Sequence, residues 1–492
     1  MSTSSRVFKS SAFLLAIQLV QRSLGLISTL ILARLLMPED FGIVALVAIA
    51  LQFFEVLADA GNKHYIIQKT EVSDADLNTA WTMNLCIKAV IAVLVILSSP
   101  LLAAFFDTPE LTLAVSVATL ALPIGALSNP ILMLRARELN YRPIFLLSVW
   151  QKVISFAVVV GFALLHPSYW AIITGNLTAA AVMALGSYRV DAFRPSPSLS
   201  QIGLQWDFSK WLILRGMVGF TRSQIDSLIV GKLYSSGQLG GYHLIRELAT
   251  FPAISVIIPG SEPLQAAIAE RKSQPAELGY RIRLSLFMMI TLVTPITLFM
   301  ATYSELIVSV VLGSQWTDYE QLLRPFALFF FTFCLFALVS DAFMATGQVR
   351  VLFWFDLIST VIIVGLLLSI NEASLETMAW ARGWLAVITT IALLILLEKR
   401  THYRLSRLGA LCSLILVPCL IALWTTNFIG TAFAPYTPAL NLALLTVMFG
   451  SFAGCLLLLT CLVTHKKYEE LGHLWRQAHG LISSLKEPIR KP

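Results

Sequence analysis

The sequence predicts an all-helical integral membrane protein in which about 14 transmembrane helices form two related bundles. Composition gives the first reason: 57% of the residues are hydrophobic and 13% are charged, against about 25% charged residues in soluble domains. The second reason is that the apolar residues gather in segments of roughly 20, the length that crosses a hydrocarbon core of about 30 Å. The third reason is a corner between two apolar segments that occurs twice, 198 residues apart.

The apolar segments follow one another with short polar connections. The predicted spans are residues 11–36, 41–60, 80–103, 111–134, 144–165, 169–187, 211–233, 241–259, 284–301, 325–344, 351–370, 378–397, 408–428 and 439–463. Because lipid offers backbone groups no hydrogen-bond partner, each span is expected to be a continuous helix. The first span is too long and too polar for a cleaved signal peptide, and it lacks an Ala-x-Ala-like cleavage sequence.

The repeated corner is the most informative local feature. Residues 30–46 read LILARLLMPEDFGIVAL and residues 228–244 read LIVGKLYSSGQLGGYHL, an offset that aligns Arg34 with Lys232 and Gly42 with Gly240. Each copy ends one apolar segment, turns in a few polar residues and starts the next. Such a repeat predicts two like bundles of membrane helices, which is the architecture of a transporter.

The two bundles are expected to meet at a stretch rich in proline and serine, RPSPSLS. Six spans precede it, and the next six form the second bundle, so both bundles enter the membrane in the same direction. A pseudo-twofold axis is then expected along the membrane normal, with a cavity between the bundles. The predicted parts are an N-terminal six-helix bundle (1–188), a cytoplasmic linker (189–208), a C-terminal six-helix bundle (209–400), two additional transmembrane helices (401–463) and a basic amphipathic tail (464–492).

The net charge of +7 is explained by topology. With a cytoplasmic N-terminus, most of the 35 lysines and arginines fall in cytoplasmic connections and in the tail. This asymmetry follows the positive-inside rule and places both termini in the cytoplasm, so the basic balance does not require a nucleic-acid partner. In the tail, apolar residues recur at three- and four-residue steps, which predicts a helix lying on the membrane surface.

The six cysteines all fall within predicted spans. They form neither a CxxC pair nor a Cys/His cluster with the spacing of metal ligands. They are therefore expected to be small apolar core residues, and the sequence predicts no metal site and no cofactor.

Several short motifs resemble those of a known family. They are LARLLMPEDFGIVAL, DAGNKHYIIQ and MNL in the first half, and IDSLIVGKL, LGGYHL, VLGSQW and MATGQVR in the second. Together they resemble bacterial Wzx-type polysaccharide exporters, a polysaccharide-transport branch of the MATE-like MOP superfamily, and among these most nearly the colanic-acid exporter-like lipopolysaccharide biosynthesis proteins. The last two predicted spans exceed the twelve helices that this family requires.

This resemblance implies a flippase of the bacterial inner membrane, with two six-helix lobes around a cationic central cavity. Its substrate would be an oligosaccharide linked to an undecaprenyl diphosphate carrier, moved from the inner to the outer leaflet. A polysaccharide polymerase and a chain-length regulator are implied as partners, beside the membrane lipids.

Charged residues inside the spans are candidates for function, because inserting each mid-span Arg or Asp into the membrane costs roughly 2.5–3.5 kcal/mol of free energy on insertion scales. Span 7 holds Arg215, Arg222 and Asp226 at steps of seven and four residues, which places them on one helix face. That face must meet water, a partner or a polar ligand. Lys88 in span 3 either lines the cavity or extends its ammonium group to a cytoplasmic end.

Span 1 repeats this pattern with a polar stripe that includes Gln18 and Arg22. The 198-residue offset puts Arg22 two positions from the counterpart of Arg222, so the two halves place an arginine at similar depth. A guanidinium binds a diphosphate in bidentate fashion. We therefore predict that Arg22 and Arg222, with Arg215, Lys88 and Gln18, bind the diphosphate or an acidic sugar. The alternative is that the arginines only pair with acids and lock the helices together.

Acidic residues within or at the ends of spans are candidates for coupling or gating. They are Glu55, Asp59, Asp226, Glu247, Asp341 and Asp356. A buried carboxyl whose pKa is raised can gain and lose a proton and so couple transport to a proton gradient. The alternative is a static partner for an arginine, as for Asp226 one turn after Arg222.

Three functions are compatible with this pattern. The first is a lipid-linked oligosaccharide flippase that works by alternating access and is not an enzyme. The second is a MATE-like exporter of small amphiphiles, which predicts an acidic cavity, whereas the mid-span charges of spans 1 and 7 lean basic. The third is a membrane-bound polysaccharide polymerase or ligase, which needs a large periplasmic loop; the predicted outer connections are short and show no catalytic motif.

Overall fold

The structure is a computed structural model that describes residues 3–58, 66, 69, 72–261, 264, 268, 274–370, 373–401, 405–431 and 436–464. For residues 3–12, 203–216, 218, 275 and 276 it describes the backbone only. The predicted tail, 464–492, falls outside the described residues except for Thr464.

The described chain is a succession of helices that match the predicted spans closely. In order they are α1 (Thr3–Leu35), α2 (Pro38–Ala58), α3 (Asp74–Phe105), α4 (Leu111–Thr119), α5 (Ala121–Ala126), α6 (Ile131–Arg137), α7 (Arg142–Leu165), α8 (Trp170–Ser187), α9 (Ile202–Leu233), α10 (Ser236–Pro252), α11 (Pro275–Thr302), α12 (Ser304–Val311), α13 (Leu323–Ala345), α14 (Val349–Ser369), α15 (Leu375–Arg400), α16 (Leu405–Gly430) and α17 (Pro438–Thr464). A π-helical turn, Ala253–Ile257, continues α10 after Pro252.

Within the described residues, twelve helical segments are long and apolar enough to cross a membrane. One bent pair, Leu111–Ala126 with Ile131–Arg137, supplies a thirteenth. The 32-residue α9, which is not among these, contains the charged face predicted for span 7. The prediction of about 14 spans therefore agrees with the observed architecture.

The fourth predicted span is the one that the structure corrects. Residues 111–134 were expected to form one continuous helix, but the chain bends by 64° between Ala126 and Ile131. Pro130 is the last residue of the break, and the buried Asn129 provides hydrogen bonds for the backbone there. The side-chain oxygen of Asn129 accepts the Ile131 N–H at 3.0 Å, and the backbone N–H of Asn129 donates to Ser187 Oγ at 2.8 Å. The apolar pattern continues through this break, which is why periodicity alone did not locate it.

Helix α3 shows how a span divides its surface between protein and lipid. Val93, Leu97 and Leu101 follow at four-residue steps and are 56%, 71% and 73% exposed. The small residues Ala92 and Ser99 lie on the opposite, buried face. An apolar stripe of this kind is stable only against hydrocarbon, so the protein is a multi-pass membrane protein.

The chain forms two compact units. Unit 1 contains residues 1–244 and 356–375, and unit 2 contains residues 245–355 and 376–492. In unit 1, α7 packs against both α1 and α8, and α2 packs against α9. In unit 2, α11 packs against α13 and α16, and α16 against α17. The predicted boundary at 189–208 divides the chain by its internal repeat and not by packing, and it stays a prediction.

The two copies of the repeated corner touch each other inside unit 1. A methyl group at Gly42 would lie 1.9 Å from the backbone oxygen of Ser236, and one at Gly240 would lie 2.0 Å from the backbone oxygen of Pro38. The 198-residue offset aligns Pro38 with Ser236 as it aligns Gly42 with Gly240, so the contact is reciprocal. Both positions require glycine because the opposing atoms belong to backbone, which cannot move aside as a flexible side chain can.

The segment between α8 and α9 is held to unit 1 by hydrogen bonds. The N–H of Ser196 donates to Asn78 Oδ1 and that of Ser198 to Thr82 Oγ1, both at 2.9 Å, so the segment follows the start of α3. Asp191 also pairs with Arg135 of α6. The Arg135 guanidinium holds the pKa of Asp191 below its ordinary value; the pair's contribution is therefore present above the ordinary aspartate pKa and is lost as pH falls through the lowered one.

Candidate functional site

Unit 1 contains a cavity of about 650 Å³ between its helices. Its lining includes polar side chains from α2, α3, α7, α8, α9 and α10, together with Ser128 from the break before α6. The polar lining residues are Gln52, Glu55, Lys88, Ser128, Gln151, Asn176, Gln224 and His243, and the others are mostly small or apolar, such as Ala48, Ala121, Ala179 and Ala180.

Carboxamides dominate the polar lining. Gln224 Nε2 donates to Gln52 Oε1 at 2.6 Å, which joins α9 to α2. Gln151 of α7 and Asn176 of α8 have no side-chain hydrogen bond within the part of the chain that the structure describes. These two amides therefore present both donors and acceptors to the cavity.

The cavity also contains one cation and one anion. Lys88 and Glu55 both line it, and among the described residues neither forms an ion pair. Lys88 thus lines a cavity within unit 1, and its role in binding the substrate stays a prediction. Glu55 and Gln52 share a face of α2, as their three-residue spacing requires. The predicted acid Asp59 lies outside the described residues.

A second cationic group lies beside Gly25, where α1 packs against α7. Lys152 Nζ would be 3.7 Å from a methyl group at Gly25, and Arg22 lies one turn earlier on α1. Within the described residues, neither cation has a carboxylate partner. Two like charges held close together without an acid form a site that favours an anion. Gln18, one turn before Arg22, is exposed on the same helix.

Arg222 has a different environment from its counterpart Arg22. Its Nη1 donates to Asp356 Oδ1 of α14 at 2.7 Å, and the two side chains are 22% and 25% exposed. Asp226, one turn further along α9, is fully buried and accepts a hydrogen bond at 3.0 Å from Tyr242 Oη. Asp356 is therefore paired, which its apolar sequence surroundings do not predict. The side chain of Arg215 lies outside the described residues.

The remaining predicted acids belong to unit 2. Glu247 on α10 is exposed, and Asp341 on α13 is half-buried. Arg246, next to Glu247, places its guanidinium 5.4 Å from the ring centroid of Phe329 on α13, a cation–π contact. Neither acid lines the cavity of unit 1.

Sequence reasoning missed most of the polar lining. Gln151, Asn176, Gln224 and His243 are not among the residues that the sequence predicts for the site. A signal was available, because a carboxamide in an apolar span is also costly to bury. Counting charges alone left these residues out. Among the described residues, no group of three His, Cys, Asp or Glu side chains is placed to hold a metal.

The chain is similar in sequence to a known protein family and to several characterised proteins. The family described as "Polysaccharide biosynthesis protein" matches residues 31–321. The chain is 23% identical over 345 residues to the lipopolysaccharide biosynthesis protein WzxC of Escherichia coli K12, covering 69% of this chain and 70% of that protein. It is 24% identical over 355 residues to the succinoglycan biosynthesis transport protein ExoT of Rhizobium meliloti 1021, covering 71% and 72%.

Two solved structures share the fold. One is the lipid II flippase MurJ in an inward closed conformation, with a TM-score of 0.70 at 14% identity over 90% of this chain and 98% of that one. The other is an inward-facing multidrug resistance MATE family transporter of the MOP superfamily, with a TM-score of 0.60 at 13% identity over 80% and 95%. The fold is therefore the MATE-like fold that the sequence predicted.

Proposed function

The chain belongs to the polysaccharide biosynthesis protein family, and from this premise we propose that it is a flippase for lipid-linked oligosaccharide. Its substrate is an oligosaccharide repeat unit carried on undecaprenyl diphosphate, which it moves across the membrane for extracellular polysaccharide or lipopolysaccharide synthesis. The names of two relatives, a lipopolysaccharide biosynthesis protein and a succinoglycan biosynthesis transport protein, support this class of substrate.

One observation carries the proposal: Lys152 lies beside Gly25, one turn from Arg22, within a membrane-spanning unit, and neither cation has an acidic partner among the described residues. A cation in this position is costly, and a second cation beside it adds repulsion. A diphosphate group that receives hydrogen bonds from both side chains removes that cost. The two cations therefore hold the diphosphate, and Gln18 adds an amide from the same stripe of α1.

Transport proceeds by alternating access, with the saccharide in the polar interior and the polyprenyl tail in lipid. Arg222 and Arg215 on α9 are secondary contacts for the anion. For Arg222 this requires exchange of its Asp356 partner for the substrate, which makes Asp356 a gating residue. Glu55 in the cavity, Asp59, Asp226, Glu247 and Asp341 are the further candidates for proton coupling or gating.

The setting follows from the same proposal. The protein lies in the bacterial inner membrane with both termini in the cytoplasm, as the distribution of basic residues indicates. It acts as a transporter and not as an enzyme, needs no cofactor, and works with a polysaccharide polymerase and a chain-length regulator. Its two six-helix halves, linked at 189–208, provide the repeat-related helices α1 and α9.

The test uses purified protein in proteoliposomes that contain undecaprenyl diphosphate carrying one hexose. The fraction of this lipid in the outer leaflet is measured with a lectin that cannot cross the membrane. Arg22→Gln and Lys152→Met are each expected to lower the flipping rate about tenfold or more, because each removes a charge-assisted hydrogen bond to the diphosphate. Arg350→Gln, which removes an exposed cation at the start of α14, is the control.

Wild-type rates in both variants would contradict the role of these two cations. No flipping by the wild-type protein, combined with efflux of a cationic dye from the same vesicles, would favour the MATE-like exporter of amphiphiles instead. Release of a longer saccharide product would favour a polymerase or ligase.

A further inference from the structure

The cavity of unit 1 has the chemistry of a carbohydrate site rather than that of a phosphate site. A phosphate requires donors and cations, whereas a sugar hydroxyl both donates and accepts. Carboxamides offer both functions on one planar group, and four of the polar lining residues are carboxamides: Gln52, Gln151, Asn176 and Gln224. Its charged lining residues include both Lys88 and Glu55, so the cavity has no strong preference for an anion.

The amides retain capacity for a ligand. The side-chain amides of Gln151 and Asn176 have no hydrogen bond within the described residues, and leaving such groups unsatisfied inside a membrane is costly. The bond from Gln224 to Gln52 occupies one amide hydrogen and one oxygen lone pair, leaving the Gln52 NH₂ and the Gln224 carbonyl available. Four amides from α2, α7, α8 and α9 thus converge on one space with donors and acceptors to spare.

The size of the cavity fits the head of the substrate and not its tail. Its volume of about 650 Å³ lies within the range of about 300–1,000 Å³ that holds small polar ligands. One or two sugar units fit in such a space, whereas a polyprenyl chain does not.

The cavity adjoins the cationic pair through α7. Gln151 lines the cavity, and Lys152, the next residue, lies beside Gly25 and Arg22. Successive helix positions diverge by about 100°, so one helix presents an amide to the cavity and an ammonium group to its flank. In a glycosyl diphosphate the sugar and the phosphate are directly bonded, which is the adjacency that this helix provides.

We propose that the cavity is a glycan subsite in which Gln151 and Asn176 bind the sugar attached to the diphosphate. The subsite rests on the proposed flippase function, and it assigns saccharide recognition to residues separate from Arg22 and Lys152. The ligand class is a hydroxyl-rich neutral sugar, a hexose or an N-acetylhexosamine, on a diphosphate carrier.

The test compares binding of two lipids to the full-length protein in nanodiscs. The probes are undecaprenyl diphosphate without sugar and undecaprenyl diphosphate carrying one hexose or one N-acetylhexosamine. The wild-type protein is expected to bind at least one sugar-bearing lipid about tenfold more tightly than the bare lipid, the magnitude of one or two net hydrogen bonds. Gln151→Leu and Asn176→Leu are expected to remove this preference and to leave the affinity for bare lipid unchanged.

The matched control is Thr178→Val, because Thr178 is on the same helix as Asn176 and its hydroxyl donates to the backbone oxygen of Thr174 at 2.8 Å. It should keep the preference for sugar. Gln151→Asn should restore part of the preference lost in Gln151→Leu, which distinguishes recognition from a packing defect.

Three results would overturn the glycan subsite while leaving the flippase in place. They are equal wild-type affinity for all lipids, leucine variants that keep the preference for sugar, and leucine variants that lose as much affinity for the bare lipid as for the sugar-bearing lipids. By contrast, failure of the wild-type protein to bind any of the lipids would remove the proposed function itself. Arg22→Gln should lower affinity for every probe by a similar factor, since it acts on the diphosphate that all of them share.

Discussion

Arg22 and Arg222 lie only two positions out of register on the repeat-related helices α1 and α9, but their surroundings differ. Arg22 has a second cation, Lys152, nearby, whereas Arg222 forms an ion pair with Asp356. The repeat conserves position and not electrostatic environment, because the partner of Arg222 comes from α14, outside the repeated corner. In the proposed function, Arg22 therefore binds the anion, whereas Arg222 stabilises the structure until the substrate replaces Asp356.

The Arg222–Asp356 pair gives a prediction about stability. Arg222→Ala and Asp356→Ala are each expected to lower the free energy of unfolding by about 1–3 kcal/mol, less than for a fully buried pair because both side chains are partly exposed. The double variant should lose less than the sum of the two. Thermal unfolding of the detergent-solubilised variants measures the three values, and strictly additive losses would show that the pair contributes no coupling energy.

At the scale of single elements, the reciprocal corner explains why the repeat is visible at all. Gly42 and Gly240 each lie against the backbone of the other copy, so neither position accepts a side chain. The aligned Arg34 and Lys232 lie at the ends of the preceding helices. The contact requires glycine at these two positions, whereas the spans between the two corners require only that their residues be apolar.

The corner contact predicts that Gly42→Ala and Gly240→Ala are destabilising. The added methyl group would meet a backbone oxygen at about 2 Å, and overpacking of this kind costs about 1–3 kcal/mol. The control is Gly161→Ala in α7, which has no atom within 4 Å of the new methyl group and should be neutral or slightly stabilising. Unfolding temperatures test this, and equal effects at all three positions would contradict the close approach.

The break between α5 and α6 depends on Asn129, which is 1% exposed. Its side-chain amide donates to the backbone oxygen of Phe193 at 2.8 Å, in addition to its bond with Ile131. Asn129→Leu should therefore cost about 1–3 kcal/mol of unfolding free energy, since it leaves buried backbone groups without partners. Asn140→Leu, at an exposed position in the next turn, should change the same measurement by less than about 0.5 kcal/mol.

At the scale of the whole molecule, the distribution of charge predicts the orientation in the membrane. In a cysteine-free background, His166→Cys in the connection between α7 and α8 should react with an impermeant maleimide in intact cells. Ser196→Cys, between α8 and α9, should react only after the inner membrane is permeabilised. Both residues are exposed, so access by the reagent is limited by the membrane alone. The reverse labelling pattern would invert the proposed topology.

The sequence by itself determined the membrane class, the positions of nearly all helices and the repeated corner with its aligned glycines. These properties can be read from the chain itself: a span must be apolar for about 20 residues, and the aligned glycines recur at a fixed offset. The partners of the charged residues were decided by tertiary structure alone. Asp356 reaches Arg222 across 134 residues, and Lys152 reaches Arg22 across a helix contact, because side chains distant in the chain meet only when the helices pack. The amide-lined cavity arises in the same way, since each of its helices contributes only one or a few polar groups.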